Sequence, residues 1–194
     1  MPRSPQKAAD SGYSALVLDR SRWLTRANGM TLIRLIAAPV LAVAISADAS
    51  LAATAVFTLA VATDVADGIV ARRFGEASAL GRLLDHTTDA IFVSVGTAAL
   101  ACAGELPVLL PTLIAASFVQ YALDSRNPQA DGPRPSSLGR WNGIAYFVVL
   151  AVPIVRDTLG LAWPDRTFVT LLGWLLVVST LVSIADRLRF SLRR

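Results

Sequence analysis

Four aspartates lie inside stretches of the chain that are otherwise apolar: Asp64, Asp67, Asp85 and Asp89. An ionised carboxylate in hydrocarbon is costly unless another charge compensates for it, so intramembrane acids indicate a functional site. A helical rise of about 1.5 Å per residue puts all four roughly 5 to 13 Å below the boundary marked by Arg73 and Arg82. We therefore expect the four carboxylates in the same half of the membrane.

The spacing of these acids predicts that they face one another. On a helix, Asp64 and Asp67 share one face, whereas Gly81, Asp85 and Asp89 follow at intervals of four residues and form a ridge. Only a short connector separates the two segments, so we expect an antiparallel helix pair whose acidic faces meet.

The charge of this acidic group requires cations. Four carboxylates cannot all be ionised in one dry pocket without them. Hard oxygen ligands favour Mg²⁺, Mn²⁺ or Ca²⁺, and a chain with one His and one Cys has too few ligands for a zinc site. We therefore expect two divalent metals at the acids.

The elements that must position the acids are predicted to be transmembrane helices. Hydrophobic residues make up 54% of the 194 residues and charged residues only 16%, whereas a soluble domain carries about 25% charge. Lipid offers no partner for an unpaired backbone amide, so each apolar span is expected to be a helix. The sequence predicts an all-α integral membrane protein whose six spans cover residues 30–46, 51–73, 83–103, 106–123, 138–155 and 167–184.

The basic residues predict the orientation of these spans. All but two of the 18 lysines and arginines lie on one side, the exceptions being Arg156 and Arg166. By the positive-inside rule, both termini and the acids face the cytoplasm, as expected for a bacterial-type inner-membrane protein. Because the positive charges follow the ends of apolar spans, we expect the lipid bilayer and not nucleic acid as their partner.

The first 28 residues are predicted to form a cytoplasmic lead that ends in a helix lying in the membrane interface. Leu16 and Trp23 alternate there with Asp19 and Arg20, which is typical of an amphipathic interfacial helix, although a solvated linker is the alternative. Residues 29–194 are predicted to form one six-span domain.

The acids also carry a resemblance to a known family. The pattern Asp64-x2-Asp67-Gly68-x2-Ala71-Arg72-x8-Gly81-x3-Asp85-x3-Asp89 matches every specified position of the CDP-alcohol phosphotransferase (CDP-alcohol phosphatidyltransferase) signature. The six-span layout is similar to that of this family as well. The resemblance implies an enzyme that transfers a phosphoalcohol from a cytidine diphosphate donor to a hydroxyl acceptor and releases CMP.

The resemblance implies a role for each motif residue. Asp64, Asp67, Asp85 and Asp89 would hold two Mg²⁺ or Mn²⁺ ions, and Asp89 would also act as general base towards the acceptor hydroxyl. The residues implied to bind the CDP group are Gly68, Ala71, Arg72 and Gly81. Arg72 has an alternative role as an interfacial anchor, and the two glycines have one in helix packing.

Basic residues outside the motif indicate the acceptor. Residues 28–34 resemble the Asn-x2-Thr-x2-Arg opening of bacterial phosphatidylglycerophosphate synthases, and residues 138–141 resemble their Leu-Gly-Lys-Trp stretch, with Arg in place of Lys. Arg34, Arg134 and Arg140 are therefore predicted to bind an anionic acceptor such as glycerol 3-phosphate. For Arg34 and Arg140 the alternative is snorkelling to the interface.

His86 marks a departure from that subfamily. Its members usually read Leu-Asp-Pro-x-x-Asp-Lys, whereas residues 84–90 read Leu-Asp-His-Thr-Thr-Asp-Ala. An Asp-His pair resembles choline and ethanolamine phosphotransferases, whose acceptor is diacylglycerol. His86 is predicted either to help deprotonate the acceptor, as a second catalytic residue, or to serve as a polar neighbour at the interface.

The resemblance implies CDP-diacylglycerol as the donor, an alcohol acceptor and a homodimeric enzyme. The main alternative is a CDP-choline or CDP-ethanolamine phosphotransferase acting on diacylglycerol. Two other classes of protein fit buried carboxylates, namely a proton or cation transporter and a non-catalytic CDP-binding protein.

Overall fold

The chain folds into helices throughout the part that the structure describes. The computed structural model describes residues 26–74, 79–124 and 137–192, with side chains in 32–66, 84–123 and 138–189. No strand occurs among these residues, and the predicted all-α class is confirmed for them. The six helices are α1 (Arg26–Ser46), α2 (Ser50–Phe74), α3 (Ala79–Cys102), α4 (Leu109–Asp124), α5 (Ser137–Thr158) and α6 (Arg166–Leu192).

The helix bounds follow the six apolar spans with small differences. Helix α4 begins at Leu109 and not at residue 106, and the backbone N–H of Leu110 donates to the Pro107 carbonyl in its first turn, at 3.0 Å. Helix α6 continues to Leu192, eight residues beyond the predicted end at Ile184. The predicted interfacial segment lies almost entirely outside the described residues.

Two of the helices have the length and composition of a membrane span, over Leu138–Thr158 and Arg166–Arg189. Shorter apolar stretches cover Leu32–Ser46, Ser50–Ala66 and Leu109–Leu123. Large apolar side chains face outwards on several helices; Val43, Leu51 and Leu175 are 68%, 74% and 64% exposed. Large apolar side chains exposed on several helices suit contact with lipid or with another apolar surface. The count of six spans and the cytoplasmic termini stay predictions.

The helices pack in a closed arrangement in which α1 and α5 meet α3. Helix α1 packs against α2 and α3, α5 packs against α2, α3 and α6, and α4 packs against α3 and α6. Leu41, Phe92 and Leu150 are fully buried at the centre. Gly96 permits the close approach of these helices, because a methyl group at that position would lie 2.9 Å from the Leu150 methyl carbons.

A buried ion-pair group, here called the Glu105 cluster, closes the end of the bundle where α3 joins α4. Both carboxylate oxygens of Glu105 accept from Arg156 at 3.1 Å, and one also accepts from Arg166 Nε at 3.2 Å. Gly104, with φ of +76°, makes the turn that leads into Glu105. The two arginines predicted on the far side of the membrane are therefore partners of one acid.

Candidate active site and metal centre

The site is centred on a buried arginine of α1. Arg34 is 1% exposed, although it lies on a helix whose neighbouring positions carry exposed Ile33 and Leu35. A buried guanidinium requires charged or hydrogen-bonding partners, because it cannot lose its proton in a protein. Helix α1 packs against α2 and α3, so these partners come from the two helices that bear the acidic motif.

Among the described side chains, those of three motif acids surround Arg34. Its Nη1 lies 2.9 Å from Asp64 Oδ1 and also contacts Asp89 Oδ1, while its Nη2 contacts Asp85 Oδ1. The carboxylate side chains keep access to solvent, being 39%, 38% and 23% exposed for Asp64, Asp85 and Asp89. We call these four residues the Arg34 cluster. One guanidinium against three carboxylates leaves an excess of negative charge.

The donor atoms of this region fit a hard divalent metal. Asp85, His86 and Asp89 each offer one ligand atom, and these atoms lie within 4.8 Å of one another. Carboxylate oxygens are the ligands that Mg²⁺ and Mn²⁺ prefer. The excess negative charge of the cluster supplies a reason for a cation to bind, so the residues present fit the divalent metals predicted from the sequence.

The remaining motif residues lie on the same two helices. Helix α2 runs unbroken from Asp64 through Asp67, Gly68, Ala71 and Arg72, and α3 includes Gly81. The side chains of Asp67 and Arg72 lie outside the described residues, so their predicted contacts stay predictions. The helix register alone puts positions 64 and 67 on one face of α2.

The three predicted acceptor arginines fall in different places. Arg34 belongs to the acidic cluster, so it does not snorkel to a surface but lies among the acids predicted to bind metal. Arg140 is exposed in the first turn of α5. Arg134 lies outside the described residues. The structure thus brings Arg34 together with the motif acids and leaves Arg140 on the surface.

His86 lies beside Asp85 and Asp89 and also packs against residues that the sequence analysis did not identify. Its ring packs edge-on against Tyr121 of α4, with 5.5 Å between ring centroids. The Arg187 guanidinium of α6 lies over the same tyrosine ring, 5.9 Å from its centroid, and it fills the space beside Gly139, where a methyl group would overlap it. His86 therefore has a packed aromatic neighbour. No sequence spacing links these residues, because they come from four different helices.

Helices α5 and α6 also carry polar contacts that hydropathy does not reveal. Ser179 donates to Asn142 at 2.6 Å, and the hydroxyls of Tyr146 and Thr180 are 2.6 Å apart. Asn142, Tyr146 and Thr180 are buried. Polar pairs of this kind satisfy side chains in an apolar environment and join the two helices.

Comparisons with known proteins assign the chain to a family. The CDP-alcohol phosphatidyltransferase family model matches residues 24–185. A probable phosphatidylglycerophosphate synthase of Mycobacterium tuberculosis is 27% identical over 183 residues, covering 91% of this chain and 86% of that protein. An archaetidylinositol phosphate synthase of Aeropyrum pernix is 31% identical over 135 residues, covering 68% of each chain.

A cardiolipin synthase (CMP-forming)/mitochondrial hydrolase fusion protein of Schizosaccharomyces pombe is 28% identical over 160 residues. The match covers 72% of this chain but only 27% of the fusion protein. No solved structure is significantly similar to the chain. Since the family match extends over most of the sequence and includes all four motif acids, the chain belongs to the CDP-alcohol phosphatidyltransferase family of membrane phosphotransferases that act in phospholipid biosynthesis.

Proposed function

We propose that this enzyme transfers a phosphatidyl group from CDP-diacylglycerol to an alcohol acceptor and releases CMP. The observation that carries the proposal is the convergence of Asp64, Asp85 and Asp89 from two helices. Their side chains are partly open to solvent, as a site that admits a polar head group requires. Their positions are those of the family signature.

The proposed reaction is a substitution at phosphorus. The acceptor hydroxyl oxygen attacks the phosphorus that bears the diacylglycerol, and the bond from that phosphorus to the CMP oxygen breaks, so CMP leaves with the bonding electrons. Asp89 accepts the proton of the attacking hydroxyl. It is suited to this role because it is the most buried of the three acids and lies beside His86, the proposed second catalytic residue.

The other motif residues bind and orient the donor. Two Mg²⁺ or Mn²⁺ ions at Asp64, Asp67, Asp85 and Asp89 would neutralise the pyrophosphate charge and stabilise the departing CMP. Gly68, Ala71, Arg72 and Gly81 are proposed to bind the CDP group. Small residues admit the ligand close to the helix backbone, and Arg72 offers a cation to phosphate.

A phosphorylated alcohol is the proposed acceptor class, with glycerol 3-phosphate as its first candidate. The names of the Mycobacterium tuberculosis and Aeropyrum pernix relatives both specify a head group that carries a phosphate, whereas cardiolipin synthase does not. Arg34, Arg134 and Arg140 are the arginines proposed to bind that phosphate. A guanidinium suits this role because it binds two phosphate oxygens at once.

The contact of His86 with the acidic group favours a second candidate. Its ligand atom lies within 4.8 Å of those of Asp85 and Asp89, and the Asp-His pair is the feature shared with choline and ethanolamine phosphotransferases. In this alternative the donor is CDP-choline or CDP-ethanolamine, and diacylglycerol is the acceptor.

The setting proposed for the enzyme is a bacterial-type inner membrane. Six spans would place both termini and the site on the cytoplasmic side, with residues 1–28 as a lead and interfacial helix and residues 29–194 as the catalytic domain. The enzyme is proposed to act as a homodimer. Outward-facing apolar side chains on several helices offer surface for both lipid and a second copy.

The test is CMP release by the detergent-purified chain with Mg²⁺ and CDP-diacylglycerol. Glycerol 3-phosphate, inositol phosphate and phosphatidylglycerol are supplied separately, and CDP-choline or CDP-ethanolamine with diacylglycerol forms a further arm. We expect CMP release with glycerol 3-phosphate. EDTA should abolish it and added Mg²⁺ or Mn²⁺ should restore it, because the acids cannot bind the donor pyrophosphate without cations.

Each arm has a distinct meaning. CMP release only with diacylglycerol would replace the proposed reaction with the second candidate. Turnover that persists in EDTA would contradict the metal-dependent mechanism.

A further inference from the structure

We propose that Arg34 is an internal cation that competes with the divalent metals for the motif carboxylates and turns to an anionic substrate group when the metals bind. The inference rests on the proposed use of metals. It assigns Arg34 a role in setting metal affinity, beyond the acceptor binding proposed from the sequence.

The competition follows from the atoms involved. Arg34 approaches Oδ1 of Asp64, Asp85 and Asp89, so it occupies one oxygen of each of the three acids with a single guanidinium. A Mg²⁺ ion binds oxygen ligands at about 2.1 Å. Two cations in contact with the same oxygens repel each other strongly where water is scarce. Metal binding at these oxygens therefore requires the guanidinium to withdraw.

The burial of Arg34 restricts where its guanidinium can move when a metal binds. At 1% exposure, its charge cannot be transferred to water without movement of α1 or of its own side chain. A buried guanidinium that loses its carboxylates needs another anion. The proposed donor and acceptor both carry phosphate oxygens, and these are the anions that would approach the acids. Metal binding and binding of a phosphate-bearing ligand should therefore favour each other through Arg34.

The charges around Arg34 differ from those around an arginine that only stabilises the fold. An arginine that stabilises the fold needs only one carboxylate that accepts two hydrogen bonds from it, as Glu105 does from Arg156. Arg34 instead contacts three partly exposed carboxylates contributed by two helices. Removing its charge removes one cation that competes for those oxygens, and this predicts tighter metal binding.

The experiment is Mn²⁺ binding to the EDTA-stripped, detergent-purified full chain, followed by the EPR signal of free Mn²⁺. Arg34→Gln removes the charge, Arg34→Lys retains it, and Arg189→Gln is the matched control on an exposed arginine of α6. We expect Arg34→Gln to lower the Kd for Mn²⁺ by about tenfold. We expect Arg34→Lys to stay within about threefold of wild type, because a point charge still competes. The control should bind as wild type does.

Added CMP provides a second readout. In the wild-type chain CMP should tighten Mn²⁺ binding, and the factor should be smaller in Arg34→Gln. Mn²⁺ binding that is unchanged or weaker in Arg34→Gln, in protein that stays helical and monodisperse, would overturn the proposal. Such a result combined with normal CMP release by the wild type would leave the proposed function intact.

A measurement on the wild type alone covers the case in which Arg34→Gln does not fold. Arginine modification by phenylglyoxal, read by mass spectrometry of the peptide that contains Arg34, should increase when Mn²⁺ is added without CMP, because the guanidinium leaves the acids and its side chain must then move towards solvent. Unchanged modification or protection would contradict the proposal. A wild-type chain that binds no Mn²⁺ would refute it together with the metal part of the proposed function.

Discussion

The two charged clusters of this protein are built on opposite principles. In the Glu105 cluster one buried carboxylate is held by Arg156 through two parallel hydrogen bonds and by the exposed Arg166. In the Arg34 cluster one buried guanidinium meets three partly exposed carboxylates. With Asp157, which pairs with Arg156 at 2.7 Å, the first cluster has two carboxylates for its two arginines and is balanced in charge. The second carries excess negative charge and is open to solvent.

The difference indicates that the Glu105 cluster stabilises the fold, whereas the Arg34 cluster is suited to binding. A buried pair with both partners satisfied resists change, because removing either partner leaves an uncompensated buried charge. A cluster with unmatched negative charge attracts a further cation, because its like charges repel one another until that cation binds. We therefore expect substitutions at the Arg34 cluster to change catalysis and substitutions at the Glu105 cluster to change stability.

The largest expected effect is the loss of turnover in Asp89→Asn. The amide cannot accept the proton of the acceptor hydroxyl, so kcat for CMP release should fall by about 10²- to 10⁴-fold. The melting temperature should change little, because Arg34 keeps two carboxylate partners. The exposed acid Asp186 supplies the matched control, and Asp186→Asn should retain full turnover. A normal kcat in Asp89→Asn would remove Asp89 from the role of base.

A stability loss without a catalytic defect is expected for Glu105→Gln. The substitution leaves Arg156 buried with Asp157 as its remaining carboxylate partner, at 2.7 Å. Breaking a buried pair costs about 3 kcal/mol, so the melting temperature in detergent should fall by several degrees. CMP release per folded molecule at low temperature should be unchanged. An unchanged melting temperature, or a lower kcat with normal stability, would break the distinction between the clusters.

The smallest expected effect is a change in acceptor affinity for Arg140→Ala. Arg140 is exposed at the start of α5, where water screens its charge, so the KM for glycerol 3-phosphate should rise by about 5- to 20-fold with little change in kcat. Arg189→Ala removes an equally exposed arginine and should leave KM unchanged. If the two variants behave alike, Arg140 is an interfacial anchor and not an acceptor ligand.

Local patterns in the sequence were sufficient to predict the helices and to identify the acidic motif. Apolar spans of near-constant length predicted the six helices that the described residues form, because backbone hydrogen bonds within a span depend on little beyond that span. Intervals of three and four residues put the acids on helix faces for the same reason. The family signature was also local, since it lies within a single helix pair.

The partners of the charged residues required the tertiary structure. Arg34 is 55 residues from Asp89, and Arg156 is 51 residues from Glu105. The sequence analysis predicted acceptor binding or snorkelling for Arg34, and neither prediction placed it in contact with Asp64, Asp85 and Asp89. The Tyr121 contact of His86 had no sequence signal either.

The sequence by itself determined the family, through its motif, and the helices, through the hydropathy of each span, because both are patterns within a segment. Only the tertiary structure decided which cation meets which acid. Helix α1 packs against both α2 and α3, which brings Arg34 to the carboxylates of those two helices, and the turn at Gly104 leads into Glu105 at the other end. Both outcomes depend on how helices distant in sequence fit together, which no local pattern specifies.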